Sequence, residues 1–301
     1  MAYQTGDNIL DNHYNDFATS VNAVWGSGSG DSGYGQTNTV SSVSTSDTVQ
    51  ASQWTTLLAR ISSAASHQGS SITSMGNPSA GDQIEAFAAL STNIATITTN
   101  RLNVSARASI AESECSTTTD PGGSITQTGN WTWGSDAQAR YFFNAGGRCS
   151  VRWSLSGHTS RNKANEFANL ANSQCGTYII NAQSSGKSGG SGSANTNNTN
   201  LGWHDLTSSF QTAFKQFEDT GPYTANFIQL QLRKDSSGVM YFSSVWQDDA
   251  ADQTSFNKSI YNVLDSVNGT KKTIFGHEEG ETTHIADTWG DGPTQNVTAN
   301  G

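Results

Sequence analysis

The chain has 301 residues, enough for two domains, and carries a formal net charge of −10 at pH 7. Only 34% of its residues are hydrophobic and 13% charged, with Ser, Thr, Asn, Gln and Gly filling the difference. The acidic balance argues against a nucleic-acid partner, and no apolar run approaches the roughly 20 residues that a membrane-spanning helix needs.

The first hundred residues contain a repeated helical pattern. The segment Gly6–Val24 aligns without a gap with Ser46–Ala64, and a weaker third copy begins at Gly81. Apolar residues recur at i, i+3, i+7 and i+10 in each copy, which is the spacing of one face of an amphipathic helix. Residues 1–105 are therefore predicted to form a helical repeat module used for docking or oligomerisation.

A Gly/Ser-rich connector, residues 26–46, separates the first two copies and is predicted to be a linker. It contains Gly30-Asp31-Ser32-Gly33, which resembles the nucleophile loop of chymotrypsin-like proteases. Tyr34 stands where that motif has Gly, and no His–Asp pair precedes it at a suitable spacing. The protease interpretation is therefore not favoured.

Residues 106–301 read as a series of short, alternating, aromatic segments bounded by Gly, Asn, Asp or Ser, which is typical of strands. They predict a mainly β region, an antiparallel β-sandwich or jelly-roll-like domain. Within it, Gln138–Gly157 is predicted to be a β-hairpin. Helical spacing predicts helices at Asn162–Gln174 and His204–Asp219, and Ala182–Asn200 is a low-complexity loop.

None of the candidate chemical motifs is complete. Gly186-Lys187-Ser188 resembles the end of a phosphate-binding loop, but Asn181 stands where that loop needs Gly. His277 and His284 are too far apart for a metalloprotease helix; a pairing of His277 with Glu281 on a divalent metal is the alternative to a plain polar loop. We therefore expect no catalytic residue, cofactor or metal, and no enzymatic activity.

The three cysteines form no metal-binding spacing, and the N-terminus has no basic region followed by an apolar run. We therefore expect reduced, buried thiols in a protein made in a cytoplasm. The cysteines are Cys115, Cys149 and Cys175.

Several motifs, taken in order, resemble those of a known class of protein. Tyr14–Gln36, which ends in Gly-Tyr-Gly-Gln, and the later His67-Gln68-Gly69 resemble the N-terminal signature of virion structural proteins of tailed bacteriophages, particularly phages of marine cyanobacteria. Ala139–Gly147 and Leu206–Arg233 resemble a β-rich domain of phage tail and fibre-associated proteins. The resemblance covers the chain from Tyr14 to about Trp246.

The resemblance implies a non-enzymatic virion component of the tail, baseplate or fibre attachment. Low apolar content predicts a thin core completed by neighbouring copies, so we expect a homo-oligomer, a trimer or hexamer, that also contacts other virion proteins. The residues predicted to lie at interfaces are Tyr14, Phe17, Trp54, Leu57, Tyr141, Phe143, Arg148, Arg152 and Trp153. Core packing of the hairpin aromatics is an equal alternative.

A second hypothesis is a receptor- or carbohydrate-binding module that takes host surface glycans. Exposed tryptophans would then stack on sugar rings, and the candidates are Trp203, Trp246 and Trp289. A third and less favoured hypothesis is a tail-borne glycan hydrolase, whose carboxylate pair no sequence pattern identifies.

Overall fold

The computed structural model of the chain describes residues 11–28, 32–45, 47–79, 87–159, 162–219, 221–250 and 266–301. They divide into two compact units. Unit 1 takes its residues from Met1–Ala108, Arg140–Gly147 and Glu279–Asp291, and unit 2 from Ser109–Ala139, Arg148–Glu278 and Gly292–Gly301. No described helix is both long enough and apolar enough to cross a bilayer.

Unit 1 contains three helices that pack on one another: α1 (Asp11–Trp25), α2 (Ala51–Gln68) and α3 (Phe87–Thr99). The predicted helical character of the N-terminal region is confirmed, although the residues of the three copies before Asp11, at 46 and at 81–86 lie outside the described part. The buried positions of the repeat are Tyr14, Val21, Trp54, Leu57, Ile61, Leu90, Ile94 and Ile97. Phe17 and Val49 are partly exposed, and the rings of Tyr14 and Trp54 lie 6.0 Å apart. Gly69 ends α2 in the left-handed conformation, with a φ of 67°.

The Gly/Ser-rich connector is held against α1 by amide side chains. Asn22 donates to the carbonyl oxygen of Val40 and accepts from its N–H, both at 2.8 Å. Asn15 makes the same pair of bonds with Val43, at 2.9 and 2.8 Å. Tyr34 is fully buried. The described residues of the connector are therefore packed on the helices.

Unit 2 contains two antiparallel sheets, so the predicted mainly β, sandwich-like fold is confirmed. The five-stranded sheet has the order β1-β10-β3-β4-β5 and the six-stranded sheet the order β11-β2-β9-β8-β7-β6. The strands are β1 (Ala111–Thr117), β2 (Ser124–Thr132), β3 (Arg148–Ser156), β4 (Thr177–Ile180), β5 (Ser185–Ser188), β6 (Thr196–Asn197), β7 (Gln211–Phe217), β8 (Phe227–Lys234), β9 (Val239–Gln247), β10 (Thr270–Glu278) and β11 (Thr294–Ala299).

Aromatic rings fill the space between the two sheets. Trp131 on β2 meets Phe275 on β10 edge to face at 5.5 Å, and Trp153 on β3 stacks on Phe214 of β7 at 5.0 Å. Helix α5 (Asn162–Asn169), continued by a π-helical turn at Leu170–Gln174, adds Phe167, which stacks on Trp246 at 5.9 Å. The helix predicted there is confirmed.

The expectation of a thin core is wrong. All eight tryptophans are buried, and the only large apolar side chains exposed in the described residues are Ile110, Phe210 and Val297. The physical reason is that each aromatic side chain buries about 150–250 Å², so a few large rings replace many aliphatic residues.

Three local predictions are also wrong. The first half of the predicted hairpin is helix α4 (Asp136–Asn144), begun by Ser135, whose Oγ accepts from the N–H of Gln138 at 3.2 Å. The helix predicted at His204–Asp219 is instead a 3-10 turn, Trp203–Asp205, followed by strand β7. The predicted low-complexity loop contains β5 and β6.

Candidate functional site

The sequence motifs that resemble virion proteins meet inside unit 1. Tyr34 of Gly-Tyr-Gly-Gln and Gln68 of His-Gln-Gly are joined by a hydrogen bond of 2.8 Å from Gln68 Nε2 to the Tyr34 hydroxyl. The ring of His67 lies edge-on to Tyr34 at 5.1 Å. We call Tyr34, His67, Gln68 and Glu281 the Tyr34–His67 cluster.

His67 is fully buried and its two ring nitrogens face oxygen atoms. Nε2 lies 3.0 Å from the carbonyl oxygen of Ala145, and Nδ1 lies 3.2 Å from Oε1 of Glu281. Burial lowers the pKa of His67 and outweighs the opposing effect of Glu281. The pKa of Glu281 is also lowered: burial raises it, but hydrogen bonds from Thr283 and His67 stabilise its carboxylate more.

The rest of the Gly-Tyr-Gly-Gln motif also binds backbone. Gln36 donates to the carbonyl oxygen of Ala286 at 2.8 Å and accepts from its N–H at 2.9 Å. Thr288 donates to the carbonyl oxygen of Tyr34 at 2.8 Å. The motif residues therefore fasten the segment Glu279–Asp291 to the connector, which is a structural use of their polar groups.

In the polar segment His277–His284, the residues His277, Glu278 and Glu281 each bind a different partner and do not form one site. His277 Nδ1 lies 2.6 Å from Gln295 Nε2, and Glu278 pairs with Arg148, both within unit 2. Glu281 bonds His67 within unit 1. Among the described residues, no group of three or more His, Cys, Asp or Glu side chains could hold a metal ion.

Five of the nine predicted interface residues are buried inside the chain: Tyr14, Trp54, Leu57, Phe143 and Trp153. The other four are partly exposed: Phe17, Tyr141, Arg148 and Arg152. The two arginines are ion-paired within the five-stranded sheet, Arg148 with Glu278 and Arg152 with Glu112.

The predicted glycan-stacking residues Trp203, Trp246 and Trp289 are 2%, 0% and 1% exposed. Trp246 donates to Gln127 at 3.1 Å, and Lys234 lies 3.7 Å from the centroid of the Trp203 ring. Their faces are thus occupied by intramolecular packing, and a sugar ring cannot lie on them in this structure.

The outer surface of the six-stranded sheet carries a set of side chains that sequence reasoning missed. Along β8, Ile228, Leu230 and Leu232 are fully buried, while the alternate residues are partly exposed and face outward. We call the outward set the β8 stripe: Phe227, Gln229, Gln231 and Arg233 on β8, Lys215 opposite Gln229 on β7, and Tyr241 opposite Arg233 on β9.

The two sheets differ in whether their positively charged side chains form ion pairs. On the five-stranded sheet three cations pair with carboxylates: Arg148 with Glu278, Arg152 with Glu112 at 2.9 Å and Lys272 with Glu114 at 2.8 Å. None of the six strands of the other sheet contains Asp or Glu. Alternating polar and apolar residues in β8 were the available signal for an outward polar face.

The cations of the β8 stripe lie on aromatic rings. Lys215 Nζ is 3.6 Å from the ring centroid of Phe227, and Arg233 Cζ is 3.8 Å from that of Tyr241. Neither cation makes an ion pair with a residue in the described part of the chain. The stripe therefore combines positive charge, aromatic rings and amides on one partly exposed face.

No protein-family model, no curated protein and no solved structure matches the chain.

Proposed function

We propose that the chain is a non-enzymatic structural component of a tailed-phage virion, a tail, baseplate or fibre-attachment protein that assembles as a homo-oligomer. The observation that carries the proposal is the Tyr34–His67 cluster. Tyr34, His67 and Gln68, which belong to the motifs that resemble virion proteins, lie together there. Their polar groups make hydrogen bonds within the chain.

The chemistry of the cluster supports a framework role over a catalytic one. Tyr34 is 0% exposed and its hydroxyl donates to the carbonyl oxygen of Arg101 at 2.7 Å while accepting from Gln68. A general acid or base has to reach the proton that it transfers, within about 3 Å or through one water. A His and a Tyr that are both fully buried and engaged with backbone oxygens hold segments together instead.

Assembly would use the predicted interface residues that remain partly exposed, Phe17 and Tyr141 of unit 1 and Arg148 and Arg152 of unit 2. Aromatic residues and Arg are the types enriched at protein interfaces. The partners would be other copies, in a trimer or hexamer, and other virion proteins. The chain would be made in the host cytoplasm and reside in the particle.

The test is made on purified particles and on the isolated protein. Mass spectrometry of gradient-purified virions of a phage that encodes the chain should find it at stoichiometric level. Light scattering of the recombinant protein should give a multiple of 31.9 kDa. A stable monomer that is missing from the particles would overturn the proposal.

A pair of variants on α1 tests the interface. Replacing partly exposed Phe17 by Gln should shift the mass towards the monomer, whereas replacing exposed Asn12 by Gln on the same helix should not. Circular dichroism of both variants checks that the helices are intact. Clearing of host cell walls in a zymogram by the pure protein would contradict the non-enzymatic role.

A further inference from the structure

We propose that the β8 stripe binds an acidic polysaccharide, with the free amides of Gln229 and Gln231 taking sugar hydroxyls between the cations Lys215 and Arg233. This inference does not depend on the virion role proposed above. The β8 stripe, and not the buried tryptophans, is then the surface that binds a glycan.

The stripe has the shape that an extended chain of sugars needs. From Phe227 to Arg233 the outward residues run along one strand for about 20 Å, at about 3.3 Å per residue. The strand has β7 on one side and β9 on the other, so the surface is continuous across at least three strands. The ligand would therefore lie along β8, over the middle of this surface.

The central amides are available to a ligand. The side chains of Gln229 and Gln231 are partly exposed and make no hydrogen bond to any residue in the described ranges. Each amide offers two donors and one acceptor oxygen. A sugar hydroxyl is itself both donor and acceptor, so neighbouring hydroxyls can bond to one amide without leaving a polar group unmatched.

The charge of the stripe selects an anionic ligand. Lys215 and Arg233 are positive, no strand of this sheet contains a carboxylate, and the chain as a whole carries −10. The nearby carboxylate of Asp235 is already engaged, accepting hydrogen bonds from Ser237, Val239 and Tyr241. A carboxylate or sulfate on the sugar can supply the missing partner, and Arg can bind it through two parallel N–H bonds.

The aromatic rings complete the complementarity. Phe210 is 43% exposed, and Arg233 Cζ lies 5.2 Å from its ring centroid. The negative face of an aromatic ring attracts the polarised C–H groups of a sugar. An exposed ring therefore stands beside the cation that would hold the acidic group of the same sugar.

Other classes of ligand match the stripe less well. A stable protein interface buries about 800 Å² on each partner around an apolar centre, and the centre of this stripe is two amides. Tight binding to nucleic acid uses about 6–10 phosphate contacts, and the stripe offers two cations. Acidic peptides and single-stranded DNA are therefore the comparison ligands in the test.

The experiment measures binding of the full chain by calorimetry to a panel of acidic polysaccharides: polygalacturonate, alginate and chondroitin sulfate. Neutral dextran, poly-glutamate and single-stranded DNA are the comparisons. We expect at least one acidic polysaccharide to bind, more tightly than poly-glutamate or DNA of equal charge. Failure of all three at millimolar sugar, or tighter binding of either comparison polyanion, would overturn the proposal.

Matched variants separate specific binding from simple ion exchange. Arg233→Gln should weaken binding about tenfold, as expected for loss of a hydrogen-bonded charge, and Gln229→Ala with Gln231→Ala about fivefold. The control Lys272→Gln makes the same charge change on the five-stranded sheet and should alter binding less than about twofold. Equal effects of Arg233→Gln and Lys272→Gln, or no effect of the amide pair, would contradict the site.

Discussion

The Tyr34 hydroxyl accepts a hydrogen bond from Gln68 Nε2 at 2.8 Å, which joins the connector to the end of α2. The same hydroxyl donates to Arg101. Replacing Tyr34 by Phe keeps the ring but leaves the carbonyl oxygen of Arg101 and a buried amide hydrogen of Gln68 without this partner. We expect the free energy of unfolding to fall by about 1–3 kcal/mol.

Urea unfolding followed by circular dichroism measures this change, and Tyr141→Phe is the matched control in the same unit. Tyr141 is a partly exposed residue, and Arg140 donates to its hydroxyl at the long distance of 3.4 Å. Its loss should cost less than about 0.5 kcal/mol. Equal stability of the Tyr34 variant and the unmodified protein would show that the cluster does not hold unit 1 together.

The buried His67 predicts a loss of stability in acid. Its pKa lies below the ordinary 6.5 because burial disfavours the charged ring, so the unfolded chain binds the proton more readily. The contribution of His67 is therefore present above about pH 6.5 and is lost as the pH falls towards the lowered value. Glu281, whose pKa is below 4.5, adds a second loss at lower pH.

The measurement is the urea midpoint between about pH 8 and pH 5 for the unmodified protein and His67→Gln. The variant should show a flatter dependence on pH over this range. Stability that rises on acidification and loses this rise in His67→Gln would mean that the imidazolium–carboxylate pair outweighs burial.

A buried ion pair in unit 2 gives a third prediction. Lys163 Nζ lies 2.7 Å from Oδ1 of Asp248 and donates to the carbonyl oxygen of Ala250 at 3.0 Å, with both side chains nearly inaccessible. Lys163→Met should cost about 3–5 kcal/mol, because it leaves the Asp248 charge buried without its cation.

Adding Asp248→Asn to Lys163→Met should recover part of that loss, because the double variant no longer buries a lone charge. Thermal unfolding of both single variants and the double variant gives the coupling. Additive losses in the double variant would indicate that the two charges contribute independently.

The reactivity of the three cysteines with a thiol reagent tests the packing of unit 2. All are buried and unpaired, and burial raises the pKa of each thiol, that of Cys115 to about 12. The thiolate is the reactive form. A disulfide reagent at about pH 8 should therefore label the native protein very slowly and should label three thiols per chain after unfolding. Rapid labelling of the native chain would contradict this burial.

Much of the architecture follows from patterns that are local in sequence. One-sided helical spacing predicts α1, α2 and α3, and short alternating aromatic segments predict a sandwich. Helix α4 was missed because its aromatic content outweighed a clear start signal: Ser135 followed three residues later by Gln138 is the pattern of a capping box.

Strand β7 was missed for a different reason. A register shift between Thr212 and Phe214 interrupts the two-residue alternation at the start of the strand. Phe214 is buried and Phe217 is partly exposed on the opposite face, so their three-residue spacing resembles that of a helix. The ring pair of Phe217 with Phe227, at 5.1 Å, depends on a neighbouring strand that a local window does not contain.

The candidate sites lie furthest from what a local pattern can predict. The β8 stripe depends on which strands are neighbours, and the Tyr34–His67 cluster joins residues far apart in the chain, such as His67 and Glu281. The prediction that Trp203, Trp246 and Trp289 are exposed for sugar stacking was wrong, because these large rings are buried by the packing of the chain itself.

Unit 1 is assembled from three separate stretches of chain, and the last of them supplies Glu281, Ala286 and Trp289. During synthesis, therefore, the N-terminal helices leave the ribosome long before the segment that completes their polar contacts. A fragment that stops near residue 105 would lack Ala145 and Glu281, the two residues whose oxygen atoms face the His67 ring. Maturation of this unit must therefore wait until the segment Glu279–Asp291 has been translated.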